Sequence, residues 1–475
     1  MPHFSLPSLT AVVAAALSAT AAAVAAPKKA ALIAPATRVA PIVYRERTLA
    51  NGLRVLSARD KANPTVAIQV WYHVGSKDDP RKRSGFAHLF EHLLFKSTKN
   101  MKSEMMDRLT EDVGGENNAY TQDDVTVYHE TVPSNYLETL LWAEADRMGS
   151  LTVDEANFKS ERSVVEEEYR QSVLAPPYGR LGVLIDERSF LVHPYKRSTI
   201  GKIEDLEAAS LENVRAFHNT FYRPDNATLV VVGDFEQAQL DGWVDKYFGR
   251  VPRPDAPLPR VSLREPARTQ ARRYVEHGPN VPLPAVAITF LAPTAASEDA
   301  FALQVGETIL SGGESSRLHQ ALVYQQQIAQ EAYAYGSLRE QSGLFVLGAT
   351  LASGKKPEQA ERALLAELKK IQEQPVSAAE LAKAKNQLLA SALGQRETSN
   401  GKADALGEAA VLLGNPARVN TDIARLQAVS ASDVRRVMTK YFAGPSAKPV
   451  VLYYLAAETK KNPAPKTITK GASAR

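Results

Sequence analysis

The chain of 475 residues repeats part of its own sequence, and this repetition constrains the fold more than any single motif. Matched segments that recur in the same order, at nearly constant spacing, indicate two homologous domains of roughly 200 residues each. Three segments of the first half match segments of the second half, at offsets of 220, 223 and 215 residues: Ile203–Tyr222 with Ile423–Phe442, Val153–Phe158 with Val376–Leu381, and Phe86-Ala87 with Phe301-Ala302.

A proline-rich segment separates the two copies. Val251–Arg260 contains four prolines in ten residues, which is too stiff and too poor in hydrogen-bond donors for a helix or a central strand. We therefore expect an N-terminal domain over residues 40–250, a linker over 251–264 and a C-terminal domain over 265–458.

Both copies mix strands and amphipathic helices in one order, which predicts an α+β sandwich, repeated once. Asn51-Gly52 predicts a β-hairpin whose two turn residues both have positive φ. The patterns predict strands over Val66–Val74, Ala227–Val232, Val286–Leu291 and Val450–Tyr454, and helices over Phe86–Phe95, Lys102–Val113, Tyr136–Met148 and Asp154–Val173.

The ends of the chain read as segments outside these domains. Leu9–Ala26 is apolar and ends in small residues, so residues 1–26 are expected to be a secretory signal, with an uncleaved membrane anchor as the alternative. No other segment is long enough to span a membrane. A periplasmic or secreted location follows. Thr459–Arg475 is basic and proline-containing, which is typical of a disordered tail.

Composition narrows the possible chemistry. The net charge of +4 is too balanced to indicate a nucleic-acid-binding protein. The chain has no cysteine, which excludes disulfides, thiol nucleophiles, iron–sulfur clusters and thiolate zinc sites. Any metal must therefore bind to His, Asp or Glu.

The sequence His88-Leu-Phe-Glu-His92 lies within an apolar helical pattern. Residues four apart share one helix face, so His88 and His92 can direct their imidazoles at one metal ion. Two imidazoles without thiolates favour catalytic zinc. Glu91 lies on the flank of that face, where its carboxylate can act as the general base on a water molecule.

A third ligand is expected from the helix that begins near Asp154. Spacing alone does not choose among its five acids, which are Glu155, Glu161, Glu166, Glu167 and Glu168. Taken alone, the acidic run Glu166–Glu168 is more typical of a solvated helix face. The second copy has Leu303, Gly306 and Glu307 in place of His88, Glu91 and His92, and Ala384 and Ser391 in place of Glu161 and Glu168. The fold therefore does not require these polar residues, which argues against satisfied core histidines.

These motifs resemble the pitrilysin-type (M16) zinc metallopeptidases, which carry an inverted H-x-x-E-H motif. The blocks Gly114–Thr121, Glu161-Arg162 followed by Glu168, and Gly312–Leu318 are also similar to blocks of that family. The length resembles the two-domain subfamily of mitochondrial processing peptidase. The resemblance implies two α/β-roll domains and one zinc ion per chain.

The resemblance also implies residue roles. Glu168 would be the third zinc ligand, beside His88 and His92, and Glu161 would orient a histidine or the ligand helix. A peptide substrate would add as a strand at Asn118-Ala119-Tyr120. The implied activity is zinc-dependent hydrolysis of extended peptides.

One departure from the family concerns an Arg and a Tyr that active members bring to the substrate carbonyl. The corresponding positions here hold Val323 and Gln330, and a shift to Tyr333 or Tyr335 leaves no Arg at the matching distance. We therefore expect a homologous partner subunit that supplies the pair. The alternatives are a non-catalytic scaffold and a peptide-binding homologue without hydrolysis.

Overall fold

The structure, a computed structural model, describes residues 39–444 and 447–457. The expected signal segment and basic tail lie outside these residues. Residues 40–457 belong to one compact unit that contains two β-sheets and fourteen α-helices, as counted within the described residues. No helix in this part of the chain is long and apolar enough to cross a membrane.

The first sheet has six strands in the order β1-β2-β6-β3-β5-β4. Strands β2 and β6 are parallel and the other neighbours are antiparallel. The strands are β1 (Arg45–Thr48), β2 (Arg54–Arg59), β3 (Thr65–Tyr72), β4 (Glu116–Thr121), β5 (Thr126–Pro133) and β6 (Ala227–Gly233).

Eight helices accompany these strands. The predicted helix at 154–173 ends earlier as an α-helix, at Tyr169, and continues as a π-helical turn over Arg170–Leu174. The helices are α1 (Phe86–Leu93), α2 (Met105–Glu111), α3 (Leu137–Ser150), α4 (Glu155–Tyr169), α5 (Gly179–Ser189), α6 (Ile203–Glu207), α7 (Leu211–Phe221) and α8 (Gln237–Tyr247).

The second half repeats this arrangement with a sheet in the order β7-β11-β8-β10-β9. Its strands are β7 (Arg272–Gly278), β8 (Ala285–Ala292), β9 (Ala329–Ser337), β10 (Gly343–Leu351) and β11 (Val450–Ala456). Its helices are α9 (Asp299–Ser311), α10 (Pro357–Glu373), α11 (Ala378–Gln395), α12 (Ser399–Val411), α13 (Arg418–Ala428) and α14 (Ala431–Phe442).

The two sheets have the same topology once β1 is set aside, which confirms the predicted duplication in an α+β fold. Each has one parallel pair, β2 with β6 and β7 with β11, and each ends at an antiparallel edge strand, β4 or β9. The matched helices α4 and α11 also begin alike. Asp154 accepts a hydrogen bond from Asn157 N, and Ser377 accepts one from Glu380 N.

The predicted hairpin is present between β1 and β2, but its turn differs from the prediction. Only Gly52 has positive φ, at +92°, whereas Asn51 does not. Gly52 N donates to Leu49 O at 2.9 Å, and the Asn51 amide donates to Phe248 O and Val251 O. A longer loop closed by one left-handed glycine therefore replaces the two-residue turn.

Each sheet is covered on its second face by a helix from the other half of the chain. Helix α12 packs on the first sheet through Leu406 and Ala410, and α5 packs on the second sheet through Leu181 and Ile185. Gly407 allows this approach, because a Cβ atom there would lie 2.3 Å from the Trp71 ring. This exchange of helices joins the two halves in one compact unit.

A buried ion cluster lies in the first core. The guanidinium of Arg147 donates to Glu130 at 2.7 Å and to Glu144, and each of the three side chains is no more than 1% exposed. The same guanidinium lies 4.6 Å from the ring centre of Tyr128, whose hydroxyl donates to Phe90 O in α1 at 3.0 Å. The cluster therefore supports the helix that carries the H-x-x-E-H motif.

Replacing Arg147 tests how much the buried ion cluster contributes to the stability of the fold. We expect Arg147→Met to lower the free energy of unfolding by about 3–5 kcal/mol, because two carboxylates lose their buried cation. Denaturant unfolding measures the change. The control Arg170→Met removes an exposed arginine that pairs with Glu166 and Glu167, and should cost no more than about 1 kcal/mol. Equal losses in both variants would contradict the assignment.

Candidate metal centre

The start of helix α1 is fixed by a left-handed glycine and a buried carboxylate. Gly85 has φ +93°, and Asp79 accepts hydrogen bonds from Gly85 N at 2.7 Å and Ala87 N at 2.9 Å. These contacts satisfy main-chain donors that the first turn of a helix otherwise leaves unpaired. Burial raises the pKa of Asp79 to about 7, and the two N–H groups oppose that rise.

Helix α1 presents a polar edge because its other face is anchored in the core. The buried face comprises Phe86, Ala87, Leu89, Phe90 and Leu93. His88, Glu91 and His92 lie on the remaining surface of the helix and are only partly buried. The apolar pattern of the sequence thus determines which way the three polar side chains point.

Helix α4 packs against α1 and brings two of its acids to the histidines. Glu168 Oε2 lies 3.6 Å from His88 Nε2 and 3.5 Å from His92 Nε2. Ligand atoms from His88, His92 and Glu168 all lie within 4.8 Å of one another, the one such group found among the described residues. Of the five acids considered from sequence, Glu168 is thus the one that completes a three-residue group.

The donor set and its spacing fit a zinc ion. Zn–N and Zn–O bonds of 2.0–2.2 Å in a tetrahedron place neighbouring ligand atoms about 3.4 Å apart. The two Glu168–His distances, 3.5 and 3.6 Å, are close to this value. Three protein ligands from His and Glu leave a fourth position open, as catalytic zinc sites do.

Electrostatics prepare the ligands for a cation. Burial lowers the pKa of His88 to about 4, so its imidazole is neutral and can coordinate a metal. Burial also disfavours the charged form of His92, but Glu161 and Glu168 outweigh it and raise its pKa to about 9. A hydrogen bond with His92 lowers the pKa of Glu168. The centre therefore holds a negative carboxylate, a neutral His88 imidazole and a protonated His92 imidazole, and a metal ion that bound there would displace the proton of His92.

Glu161 holds the opposite side of His92. Its Oε2 lies 3.4 Å from His92 Nδ1, and its Oε1 forms an ion pair with Lys96 Nζ at 3.0 Å. Burial favours the neutral acid, but His92 and Lys96 prevail and lower the pKa of Glu161. A charged carboxylate on Nδ1 fixes the orientation of the ring and leaves Nε2 directed at Glu168.

Glu91 has a different partner. Its Oε2 accepts a hydrogen bond from Thr121 Oγ1 at 2.6 Å, and the carboxyl group is not one of the three grouped ligands. Burial raises the pKa of Glu91, and the Thr121 hydroxyl opposes the rise. The result is a carboxylate beside the three ligands that is oriented by a neutral hydroxyl.

The predicted substrate strand is an edge strand, with side chains on both faces. Strand β4 pairs with β5 on one side, and no described strand pairs with its other side. Ala119 packs against the core that contains α1, whereas the Tyr120 ring packs on the opposite face, 6.3 Å from the Trp71 ring. Asn118 is exposed and accepts a hydrogen bond from Ala119 N. The Tyr120 side chain therefore points away from the three ligands.

The positions that correspond to the family Arg and Tyr hold neither a guanidinium nor a phenol hydroxyl. Val323 lies in a π-helical turn over His319–Gln325 and packs against the second core. Gln330 is an exposed residue of β9. Tyr333 and Tyr335 stack on each other farther along that strand, with ring centres 6.0 Å apart.

Sequence reasoning did not assign roles to three residues that position the site. Thr121 belongs to a recognised block, but its contact with Glu91 joins residues 30 positions apart. Lys96 lies three residues past the end of α1, where helical spacing no longer applies, and it reaches the site through its ion pair with Glu161. Asp79 lies in a loop, and no periodic pattern marks it as the residue that caps α1.

Comparison with known families and proteins agrees with this geometry. The model described as "Insulinase (Peptidase family M16)" matches residues 54–199, and "Peptidase M16 inactive domain" matches residues 208–388. A relative named zinc protease PqqE, from Helicobacter pylori, is 31% identical over 85% of this chain and 91% of its own. A probable mitochondrial-processing peptidase subunit beta from Arabidopsis thaliana is 26% identical over 86% of this chain and 77% of its own.

Solved structures share the whole architecture. The crystal structure of a protease from Helicobacter pylori covers 88% of this chain and 100% of its own, with a TM-score of 0.84 and 29% identity. The periplasmic protease PqqL from Escherichia coli shares the fold alone, over 86% of this chain and 47% of its own, at a TM-score of 0.70 and 19% identity. With its inverted H-x-x-E-H helix and duplicated α+β fold, the chain belongs to the M16 family of zinc peptidases.

Proposed function

We propose that this protein is a zinc-dependent endopeptidase, or the zinc-bearing subunit of one, that hydrolyses extended peptides. One observation carries the proposal: ligand atoms of His88, His92 and Glu168 lie within 4.8 Å of one another, and the neighbouring Glu91 is outside this group. The second copy of the fold does without these residues, so they serve a purpose other than folding.

Each residue of the site has a distinct task. His88, His92 and Glu168 would hold one zinc ion per chain, with Glu161 fixing the His92 ring through Nδ1. Zinc in such a site lowers the pKa of bound water towards 7 and polarises a carbonyl. Glu91 would accept the proton of the attacking water on its carboxylate and then donate it to the leaving amine. Thr121 would keep that carboxylate in position.

The open edge of β4 would bind the peptide main chain beside the ligands. No described strand pairs with the outer edge of β4, and an extended peptide that adds there as a strand would pair with outward main-chain groups of the Asn118–Tyr120 segment, replacing the Asn118 side chain at Ala119 N. Since the Tyr120 ring lies on the far face, we infer that these residues recognise the peptide through main-chain atoms.

A homologous partner subunit would complete the site. Val323 and Gln330 cannot stabilise an oxyanion as Arg and Tyr do, and a preorganised donor is worth about 3–4 kcal/mol in comparable sites. We infer that a partner supplies these groups. The absence of an Arg and a Tyr at these positions also favours the second candidate function, a scaffold or peptide-binding homologue without hydrolysis. The apolar segment near the N-terminus supports export to the periplasm or the exterior.

Metal binding tests the ligand set. We expect the purified chain to contain about one zinc per molecule, and Glu168→Gln to lose most of it, because the ligand set falls from three residues to two. Elemental analysis after dialysis measures the content. The control Glu167→Gln neutralises an exposed neighbour that interacts with Arg170 and should retain zinc. A chain without stoichiometric zinc, or equal loss in both variants, would support the scaffold instead.

Loss of the Glu91 carboxylate should separate hydrolysis from metal binding. We expect Glu91→Gln to retain zinc and to lower kcat by about 10²-fold or more, since the amide cannot accept a proton. Peptide digestion with and without a chelator measures the rate, using the chain alone and with a homologous partner. Glu155→Gln, which changes an exposed acid at the start of α4, is the control. Cleavage at the unaltered rate by Glu91→Gln would remove Glu91 as the base.

The Thr121 hydroxyl should matter for turnover and little for binding. We expect Thr121→Val to lower kcat about 10-fold with KM and zinc content unchanged, because a hydrogen bond to a charged group is worth about 1.5–3 kcal/mol. Thr121→Ser keeps the hydroxyl and should restore most of kcat. If the serine variant is as slow as the valine variant, Thr121 acts through packing and does not orient Glu91.

A further inference from the structure

A cavity of about 500 Å³ lies in the second half of the molecule, away from the metal ligands. Helices α9, α11, α12 and α13 contribute most of its wall. Much of that wall is apolar, including Leu303, Leu388, Ala392, Ala409, Leu413 and Ile423. The rest of the wall is polar or charged, and a concavity of this size that combines both kinds of lining can bind an amphipathic ligand.

The cavity is the counterpart of the metal cleft in the duplicated fold. Helix α9 corresponds to α1, α11 to α4 and the edge strand β9 to β4. Leu303 and Glu307, which replace His88 and His92, both line the cavity. The second copy has thus kept the concave shape and replaced the metal ligands by an apolar wall and a carboxylate.

Glu307 is a carboxylate without a countercharge. Among the described residues its one hydrogen-bond donor is Gly336 N, at 2.8 Å, and it forms no ion pair. Burial raises its pKa to about 7. A partly buried carboxylate held by a single main-chain N–H gains most from a cationic partner.

A second acid, Glu408 of α12, also lines the cavity. Desolvation raises its pKa, the neighbouring Asp404 carboxylate adds to the rise, and the Arg418 guanidinium opposes it. Two arginines of the wall are already engaged by other groups. Arg418 pairs with Asp422 at 2.8 Å, and Arg396 donates to Val419 O. Neither arginine forms an ion pair with Glu307 or Glu408 within the described part of the chain.

Shared lining residues relate the cavity to the metal cleft through a smaller hollow between them. Thr121 and Thr199 line both the cleft beside His88 and Glu168 and a smaller hollow next to it. That hollow shares Ala295, Gly336 and Leu338 with the cavity. A peptide held at the edge of β4 can therefore extend along one concave surface towards Glu307.

We propose that this cavity is a subsite for a lysine or arginine side chain of the bound peptide, with the aliphatic stem on the apolar wall and the charged head at Glu307. Glu408 contributes further negative potential. Long basic side chains suit such a pocket, because they bury their methylene groups while the cation keeps a polar partner. The inference rests on the proposed function for the identity of the ligand, a peptide.

Equilibrium binding tests this subsite without requiring turnover. The full chain carrying Glu91→Gln is titrated into fluorescent peptides of one sequence, in which lysine or norleucine occupies each position in turn. We expect the lysine peptide to bind at least about 10-fold more tightly than its norleucine counterpart at one position. Adding Glu307→Gln and Glu408→Gln should bring this ratio close to one, with the fold checked by circular dichroism.

The matched control is Glu331→Gln, which neutralises an exposed acid on β9 that does not line the cavity, and it should keep the full ratio. N-acetylated peptides separate a side chain from a free terminal amine, and the ratio should survive acetylation. Any of three results would overturn the proposal. Lysine is preferred at no position, the preference for lysine persists in the variant that lacks both acids, or acetylation of the peptide abolishes that preference. A preserved lysine preference in a chain that never hydrolyses peptides would reject the proposed function alone.

Discussion

The packing of α4 against α1 is the contact on which the rest of the site depends. Two imidazoles on one helix create a place for a cation only when an acid from a second helix lies within about 3.5 Å of both. That precision requires a rigid α1, which the structure provides from three directions: its apolar face in the core, Asp79 at its first turn, and Tyr128 on its main chain. The buried charges of Arg147 and its partners lie behind Tyr128, so the stability of the core and the geometry of the site are linked.

Duplication explains how one half could specialise. Each sheet needs a cover on its second face, and the two halves exchange α12 and α5 for this purpose. Since the cover comes from the other half, each half alone would leave one face of its sheet exposed, and both copies must keep the scaffold even where one lacks the two histidines. The second copy keeps its concave surface with a different lining, in which Glu307 occupies the place of His92.

Much of the fold and part of the site could be predicted from local patterns. The helix at Phe86 and the place of His88, Glu91 and His92 on its polar surface follow from 3.6-residue periodicity. The choice of Glu168 among five acids came from family resemblance, because residues on one long helix cannot be ranked until its neighbour is known. The hairpin was predicted correctly, but the predicted conformation of its turn was wrong. The Asn51 amide donates hydrogen bonds to the carbonyl oxygens of Phe248 and Val251, about 200 residues away, which no local pattern indicates.

The sequence by itself determined the duplication, the alternation of helices and strands, the two histidines on one face of α1 and the lack of thiolate chemistry. These are properties of spacing and composition within short stretches of chain. Tertiary structure alone decided that Glu161 and Glu168 reach His92 from opposite sides, that Thr121 orients Glu91, and that the Tyr120 ring turns away from the ligands. The reason is physical: each of these contacts joins elements distant in sequence, and their distances depend on how whole helices and sheets pack around the shared core.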